Sequence, residues 1–111
     1  MLIGRRPECA LFNQHFNWPD AVIEMPVTAT DVMERLYQLD VQRERIEQIS
    51  RANVVNCLRR HDLVYRWNYL LRQIGVEPTP LSLEREKRLQ DLADAISEHP
   101  SMIDCELLAV L

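Results

Sequence analysis

The segment from Asn53 to Gly75 holds the densest group of side chains that could bind a charged ligand or move a proton. Arg59, Arg60, His61 and Asp62 are consecutive there, and Arg66 follows one helical turn later. Adjacent residues of a helix point about 100° apart, so Asp62 is poorly placed to orient His61 as a catalytic carboxylate would. The neighbouring arginines also disfavour a protonated His61. The spacing therefore predicts a polar helix surface without catalytic residues, and leaves Arg60, His61 and Arg66 as candidate ligand-binding residues.

Residue types for a metal centre or a covalent nucleophile do not occur at useful spacings. His15, His61 and His99 are far apart in sequence, and Cys57 with His61 makes a single possible pair. The three cysteines form no C-x-x-C motif, which favours reduced, structural thiols. No G-x-S-x-G sequence is present. We expect neither a metal site nor a cofactor.

The composition excludes several classes of protein. The chain has 111 residues, of which 47% are hydrophobic and 27% charged, with two glycines. Few glycines argue against an all-β fold and against a glycine-rich phosphate loop. No apolar run approaches the roughly 18 residues of a membrane span, and "MLIGRRPEC" lacks the apolar core of a signal peptide. These features predict a cytoplasmic protein that does not span a membrane.

Charge is distributed unevenly along the chain. The net charge is −4, but residues 41–75 carry +4 and residues 76–111 carry −5. A basic segment beside an acidic tail could attract a phosphate-bearing ligand. It could equally be neutralised internally, helix against helix, and we favour this second interpretation because the arginines are spread over many turns. Nucleic acid is not an expected partner, because the chain is acidic and shows no recognised binding motif.

Hydrophobic periodicity predicts a mainly α fold with at most one short strand, near residues 21–25. A lone strand needs a partner, and "MLIG" is the only other candidate. Asn13, Asn17 and Pro19 limit any helix in the irregular segment 1–26. Three to four helices are expected, at about 29–39, 41–74, 82–98 and 101–110.

The long helix is expected to break near Ser50 or near His61, and Gly75 is expected to end it. Within it, Val64, Trp67 and Leu71 are predicted to be core residues. Asp62 and Arg66 are predicted to form a local ion pair. We treat residues 1–111 as one small or partial helical domain, with a helical region at 27–76 and an acidic helical tail at 77–111.

Two segments resemble a known family. They read "FNWPDAVIEMP" and "SRANVVNCLRRHDLVYRWNYLLRQIGV". Together they are similar to the C-terminal end of bacterial family-1-type glycosyltransferases, over roughly residues 12 to 76. The matching positions are Asn53, Leu58, Arg60, His61, Asp62, Tyr65, Arg66 and Trp67.

The resemblance implies the GT-B architecture of two facing Rossmann-like domains and sugar transfer from a nucleotide-sugar donor. The glycine-rich donor loops, the acidic sugar-contacting motif and the N-terminal domain of that family are absent from this sequence. The resemblance therefore implies a terminal segment that is inactive alone. Two alternatives stay open: a helical module that binds a protein partner or a second copy of itself, and a regulatory binder of an anion through Arg59, Arg60 and Arg66.

Overall fold

The chain is mainly helical in the computed structural model, which describes residues 2–25 and 31–99. In chain order the elements are β1 (Leu2–Gly4), α1 (Ala10–His15), β2 (Val22–Glu24), α2 (Val32–Val41), α3 (Arg43–Arg60), α4 (Leu63–Gln73) and α5 (Pro80–Glu98). They belong to two compact units, unit 1 (Met1–Asn53) and unit 2 (Val54–Leu111), and the boundary between the units lies inside α3. The predicted mainly α fold with a short strand near residues 21–25 is confirmed.

Unit 1 begins with a small βαβ arrangement. β1 and β2 pair in parallel, with Leu2 opposite Val22 and Gly4 opposite Glu24. Parallel strands need a crossover connection of about a dozen residues or more, and α1 lies within this one. The prediction of an irregular segment was wrong at α1: Asn13 lies inside that helix, and its N–H donates to the Cys9 carbonyl.

Trp18 and three aliphatic side chains form the buried part of unit 1. The buried residues are Trp18, Ala21, Leu39 and Ile49. The indole Nε1–H of Trp18 donates to Oδ1 of Asn53 at 2.7 Å, so the one polar atom of the ring has a partner. This hydrogen bond joins the loop before β2 to α3.

The helix predicted at 29–39 is α2, although residues 29–30 lie outside the described residues. It continues two residues further than predicted, to Val41. The helix predicted at 41–74 is two helices, because α3 ends at Arg60 and α4 begins at Leu63. The break at His61 was one of two that the sequence predicted.

Asp62 is the physical reason for that break. Its backbone is extended, with φ −66° and ψ 141°, and its carboxylate accepts a hydrogen bond from the Val64 N–H at 2.9 Å. Aspartate competes for backbone N–H groups in this way and is favoured at the start of a helix. The chain therefore starts a new helix after Asp62 and does not continue the old one.

The helix that precedes Gly75 ends there, as the sequence predicted. Gly75 has φ +74°, in the left-handed region that glycine adopts without strain. The Val76 N–H donates to the Leu71 carbonyl at 2.9 Å, and the Gly75 N–H donates to the Arg72 carbonyl at 3.2 Å. These two bonds make a Schellman motif, which satisfies the last carbonyls of the helix.

The helix predicted at 82–98 begins two residues earlier. Thr79 is its N-cap, accepting a hydrogen bond from the Ser82 N–H, and Pro80 occupies the first helical position. A proline is well tolerated there because that position has no intrahelical N–H bond to lose. The helix predicted at 101–110 lies outside the described residues.

The core of unit 2 lies between α3 and α5. Val55, Ala93 and Ile96 are buried together, with Leu58 and Leu92 packed against them. Arg59 of α3 pairs with Asp94 of α5 at 2.6 Å beside this core. Ala93 is fully buried in this core.

Candidate functional site

The three predicted ligand-binding residues lie at and after the break between α3 and α4. Arg60 is the last residue of α3, His61 is in the turn, and Arg66 is in the second turn of α4. Both arginines are exposed and His61 is half-buried. A shallow groove of about 390 Å³ is lined by Arg66, but neither Arg60 nor His61 lines it. The structure therefore does not gather the three residues around this groove.

Polar groups near the break connect the helices of unit 2 to one another. The Tyr65 hydroxyl donates to the Leu58 carbonyl at 2.7 Å and accepts from the Gln90 amide at 2.9 Å. Burial raises the pKa of Tyr65, so its hydroxyl stays protonated and keeps donating at neutral pH. This tyrosine therefore supports the turn and is not activated for chemistry.

Asp62 pairs with α5 and not with Arg66, so the predicted local ion pair was wrong. Its Oδ2 lies 2.7 Å from a guanidinium nitrogen of Arg85. The Arg85 hydrogen bond lowers the pKa of Asp62, with help from the Val64 N–H and against the opposing effect of burial. Asp62 thus both begins α4 and anchors it to α5.

Replacing Asp62 with alanine is expected to lower the free energy of unfolding by about 0.5–2 kcal/mol, because the N-cap is lost. Asparagine keeps a capping oxygen and removes only the charge, so Asp62→Asn should lose less. The pKa of Asp62 in the folded protein lies below its unfolded value of about 3.9. The ion pair with Arg85 therefore stabilises the folded state fully at pH values above about 3.9, and this stabilisation is lost as the pH falls through the folded pKa. Urea denaturation should show a gap between wild type and Asp62→Asn at about pH 6 that closes near pH 2.

Asp91→Asn is the matched control, since Asp91 is an exposed aspartate of α5. It removes the same charge without touching a helix cap. An Asp91→Asn variant that loses as much stability as Asp62→Asn would contradict the assigned role of Asp62.

An apolar stripe runs along the exposed side of α4. Its members are Leu63, Trp67, Leu70 and Ile74, which are 72%, 55%, 54% and 72% exposed. At 3.6 residues per turn these positions lie within about 60° of one another around the helix. Val64 is buried and Leu71 is half-buried, so α4 has a second apolar side that faces its own unit. The prediction that Trp67 is a core residue was therefore wrong.

The break at Asp62 explains how the stripe was missed. One continuous helix through residues 41–74 would place Trp67 in line with the apolar positions of α3. Because α4 starts afresh at Leu63, the side that packs on α5 holds Val64 and Asn68, and Trp67 lies outside it. The spacing of Leu63, Trp67, Leu70 and Ile74, by four, three and four residues, is a sequence signal that could have found the stripe.

A comparable stripe is not formed by the exposed apolar residues of α2. Met33, Leu36, Tyr37 and Val41 are exposed there. They spread over a wide angle of the helix, and Asp40 interrupts them. The α4 stripe is continuous and carries no charged residue.

Residues 2–25 and 31–99 offer no metal site, activated thiol or membrane-spanning helix. No group of three or more His, Cys, Asp and Glu side chains there could hold a metal ion. Partial burial raises the pKa of the Cys57 thiol, which is the opposite of activation. No helix in this part of the chain combines the length and apolar character needed to cross a membrane.

Comparisons with known proteins gave no matching family model, no matching curated protein and no matching solved structure. The glycosyltransferase resemblance therefore stays a prediction.

Proposed function

We propose that this protein is a helical self-association module in which α4 of one copy pairs with α4 of a second copy. One observation carries the proposal: four large apolar side chains are exposed along a single stripe of α4. Contiguous apolar surface of this kind marks interaction sites on soluble proteins. Spacings of four, three and four residues are those of a coiled-coil seam, in which one helix packs against another.

The spacing of the stripe residues along α4 favours an antiparallel pair of helices. The spacing reads the same in both directions, so a two-fold axis between Trp67 and Leu70 gives every stripe residue an apolar partner. Trp67 of one copy then lies opposite Leu70 of the other, and Leu63 lies opposite Ile74. An isologous contact of this type closes on itself and gives a dimer and not a filament.

Charge on α4 is compatible with this pairing. Arg66 and Arg72 are its charged residues, and both are basic. In the antiparallel register Arg66 comes beside Gln73 of the second copy, so like charges do not meet. The antiparallel dimer is therefore the arrangement we propose.

The size of the contact sets the expected affinity. The stripe extends over about 16 Å of helix, at 1.5 Å per residue. A contact of one short helix per copy falls at the small end of protein interfaces, where association is weak and transient. We expect a dimer with a dissociation constant on the order of micromolar.

Sedimentation velocity tests the proposal over concentrations from about 0.1 to 100 μM, on both sides of the expected constant. Wild type should shift from monomer to dimer over this range. Leu70→Glu should stay monomeric, because dimerisation would bury an unpaired carboxylate. Circular dichroism should show unchanged helix content, since Leu70 is exposed in the single chain.

Leu81→Glu is the matched control. Leu81 is an exposed leucine of α5, 78% accessible, and it lies off the stripe. This variant should dimerise as wild type does. A wild-type chain that stays monomeric throughout, or a Leu81→Glu variant that dissociates as fully as Leu70→Glu, would overturn the proposal.

A second candidate function is that of a glycosyltransferase C-terminal segment, as the resemblance implies. The parallel pairing of β1 with β2 supports it, because parallel strands normally belong to larger sheets buried on both faces. Leu2 and Ile3 of β1 are exposed, as expected of a strand taken from such a sheet. A cytoplasmic location, which the sequence predicts, is part of this candidate.

Calorimetric titration with a set of nucleotide sugars tests this candidate. Saturable binding that Arg60→Ala weakens would support it. Absence of binding, or binding that Arg60→Ala leaves unchanged, would count against it.

A further inference from the structure

A polar cleft of about 600 Å³ lies within unit 1, well away in sequence from the α4 stripe. Three arginines from different segments line it: Arg6 after β1, Arg35 of α2 and Arg45 of α3. Asp20 and Glu24 line it as well. This volume falls within the range of small-molecule sites, roughly 300–1,000 Å³.

The two acids of the cleft are matched by two of the arginines. Glu24 lies 3.7 Å from Nε of Arg6, and Asp20 lies 3.5 Å from a guanidinium nitrogen of Arg45. Arg35 has no carboxylate partner among residues 2–25 and 31–99. The charged lining of the cleft therefore has one positive charge in excess, and Arg35 carries it.

Arg6 supplies a second sign of incomplete pairing. Its two terminal nitrogens donate to Asn13 and to the Phe16 carbonyl. Its Nε is buried and, among the described residues, makes only the 3.7 Å ion pair with Glu24, a distance too long for a hydrogen bond. Buried donors without acceptors are uncommon, and each one calls for an explanation.

The loop that contributes Asp20 has an unusual backbone. Asp20 has φ +55°, a left-handed conformation that non-glycine residues other than asparagine, aspartate and histidine seldom adopt. Such conformations are concentrated at functional sites, where the surrounding structure holds them in place. Here the conformation places a carboxylate in the lining of the cleft.

We infer that this cleft binds a small organic monocarboxylate that also carries a hydroxyl or ammonium donor. The ligand carboxylate pairs with the guanidinium of Arg35, whose planar fork matches two carboxylate oxygens. Arg45 is available as a second contact, because its 3.5 Å link to Asp20 is long and exposed. The ligand's donor group is accepted by Asp20 or Glu24. A monoanion is favoured over a dianion because two carboxylates already line the cleft.

The indole of Trp18 can report ligand binding in the cleft, because Trp18 lines the cleft and its indole N–H donates a hydrogen bond to Asn53. The indole resonance of Trp18 is followed by NMR in wild type, with Trp67→Phe used to assign it. Lactate is the probe, and acetate and inorganic phosphate are compared with it at constant ionic strength. We expect a saturable shift with lactate, weaker binding of acetate because it lacks the hydroxyl, and the weakest binding of phosphate.

Two variants should move the lactate affinity in opposite directions. Arg35→Gln should weaken it at least about tenfold, through loss of the charge-assisted hydrogen bonds. Asp20→Asn should tighten it, because a negative charge leaves the cleft while an accepting oxygen remains. Asparagine also tolerates the left-handed backbone, so the loop is kept.

Arg43→Gln is the matched control, since Arg43 is an exposed arginine of the same unit that does not line the cleft. It should leave the lactate affinity unchanged. The inference is overturned if lactate gives no saturable shift, if phosphate binds more tightly than lactate, or if Arg43→Gln weakens binding as much as Arg35→Gln. These outcomes are independent of dimerisation, which depends on α4.

Discussion

Replacing Asn68 with aspartate is expected to lower the free energy of unfolding by about 3–5 kcal/mol, the usual cost of an uncompensated buried charge. Asn68 is fully buried on α4, and its amide nitrogen donates to a Glu86 carboxylate oxygen of α5 at 2.7 Å. Aspartate would replace this donor with a second carboxylate. The Asn68 Oδ1 has no hydrogen-bond donor in the described part of the chain, so no existing group would compensate the new charge.

This loss is large compared with the total stability of a typical domain, about 5–15 kcal/mol. Urea denaturation followed by circular dichroism measures it. The loss should be smaller at pH 4 than at pH 7, because acid protonates the new carboxyl and removes the repulsion with Glu86.

Gln73→Glu is the matched control for Asn68→Asp, since it makes the same amide-to-acid change on the same helix. Gln73 is exposed, so the expected loss is below about 1 kcal/mol, from an acid near the C-terminal end of a helix. If the two variants lose equal stability, Asn68 does not hold α4 against α5 in the way described.

Mixing two monomeric variants should restore a dimer if the α4 pair is antiparallel. Trp67→Lys and Leu70→Glu each place a charge in the stripe, so each variant alone should fail to associate. In the antiparallel register the new lysine of one chain lies opposite the new glutamate of the other. The other central contact of the mixed dimer remains Trp67 against Leu70.

Fluorescence anisotropy measures this rescue, with labelled Trp67→Lys titrated by unlabelled Leu70→Glu. We expect the mixed pair to bind at least about tenfold more tightly than either variant binds itself, a difference of about 1.4 kcal/mol. It should also bind more tightly than Trp67→Lys mixed with wild type, because that pair lacks the opposite charge.

Trp67→Glu mixed with Leu70→Glu is the matched control, since it places like charges at the same two sites. It should not associate. A parallel dimer would put each new charge opposite an unchanged residue, Trp67 or Leu70, so failure of the opposite-charge mixture would exclude the antiparallel register.

Local signals in the sequence predicted the helical parts of the fold well. Gly75 was expected to end a helix, and it does so because its left-handed backbone allows the Schellman bonds. The strand near residues 21–25 was also predicted, and of the two predicted breaks, near Ser50 and near His61, the second is found. The sequence analysis did not predict α1, because Asn13 and Asn17 are weak helix formers. Tertiary structure outweighs that preference in the six residues of this helix.

Tertiary contacts decided which residues are available for function. The sequence grouped Arg60, His61 and Arg66 by proximity along the chain, whereas the cleft of unit 1 gathers Arg6, Arg35 and Arg45 from three separate segments. Such convergence has no local sequence signal, because it depends on how α2 and α3 pack near the βαβ segment. Arg59 looked equally available, but Asp94 of α5 already pairs with it.

The sequence specifies most of the helix ends through local signals, because caps, glycines and prolines act on their immediate backbone neighbours. It also determined that α4 would be apolar on more than one side. Only the tertiary structure decided which of those sides is covered. α5 packs on α4 with Val64 and Asn68 buried, and leaves Leu63, Trp67, Leu70 and Ile74 exposed. Burial is a property of two surfaces in contact, so the pattern of one helix cannot specify it alone.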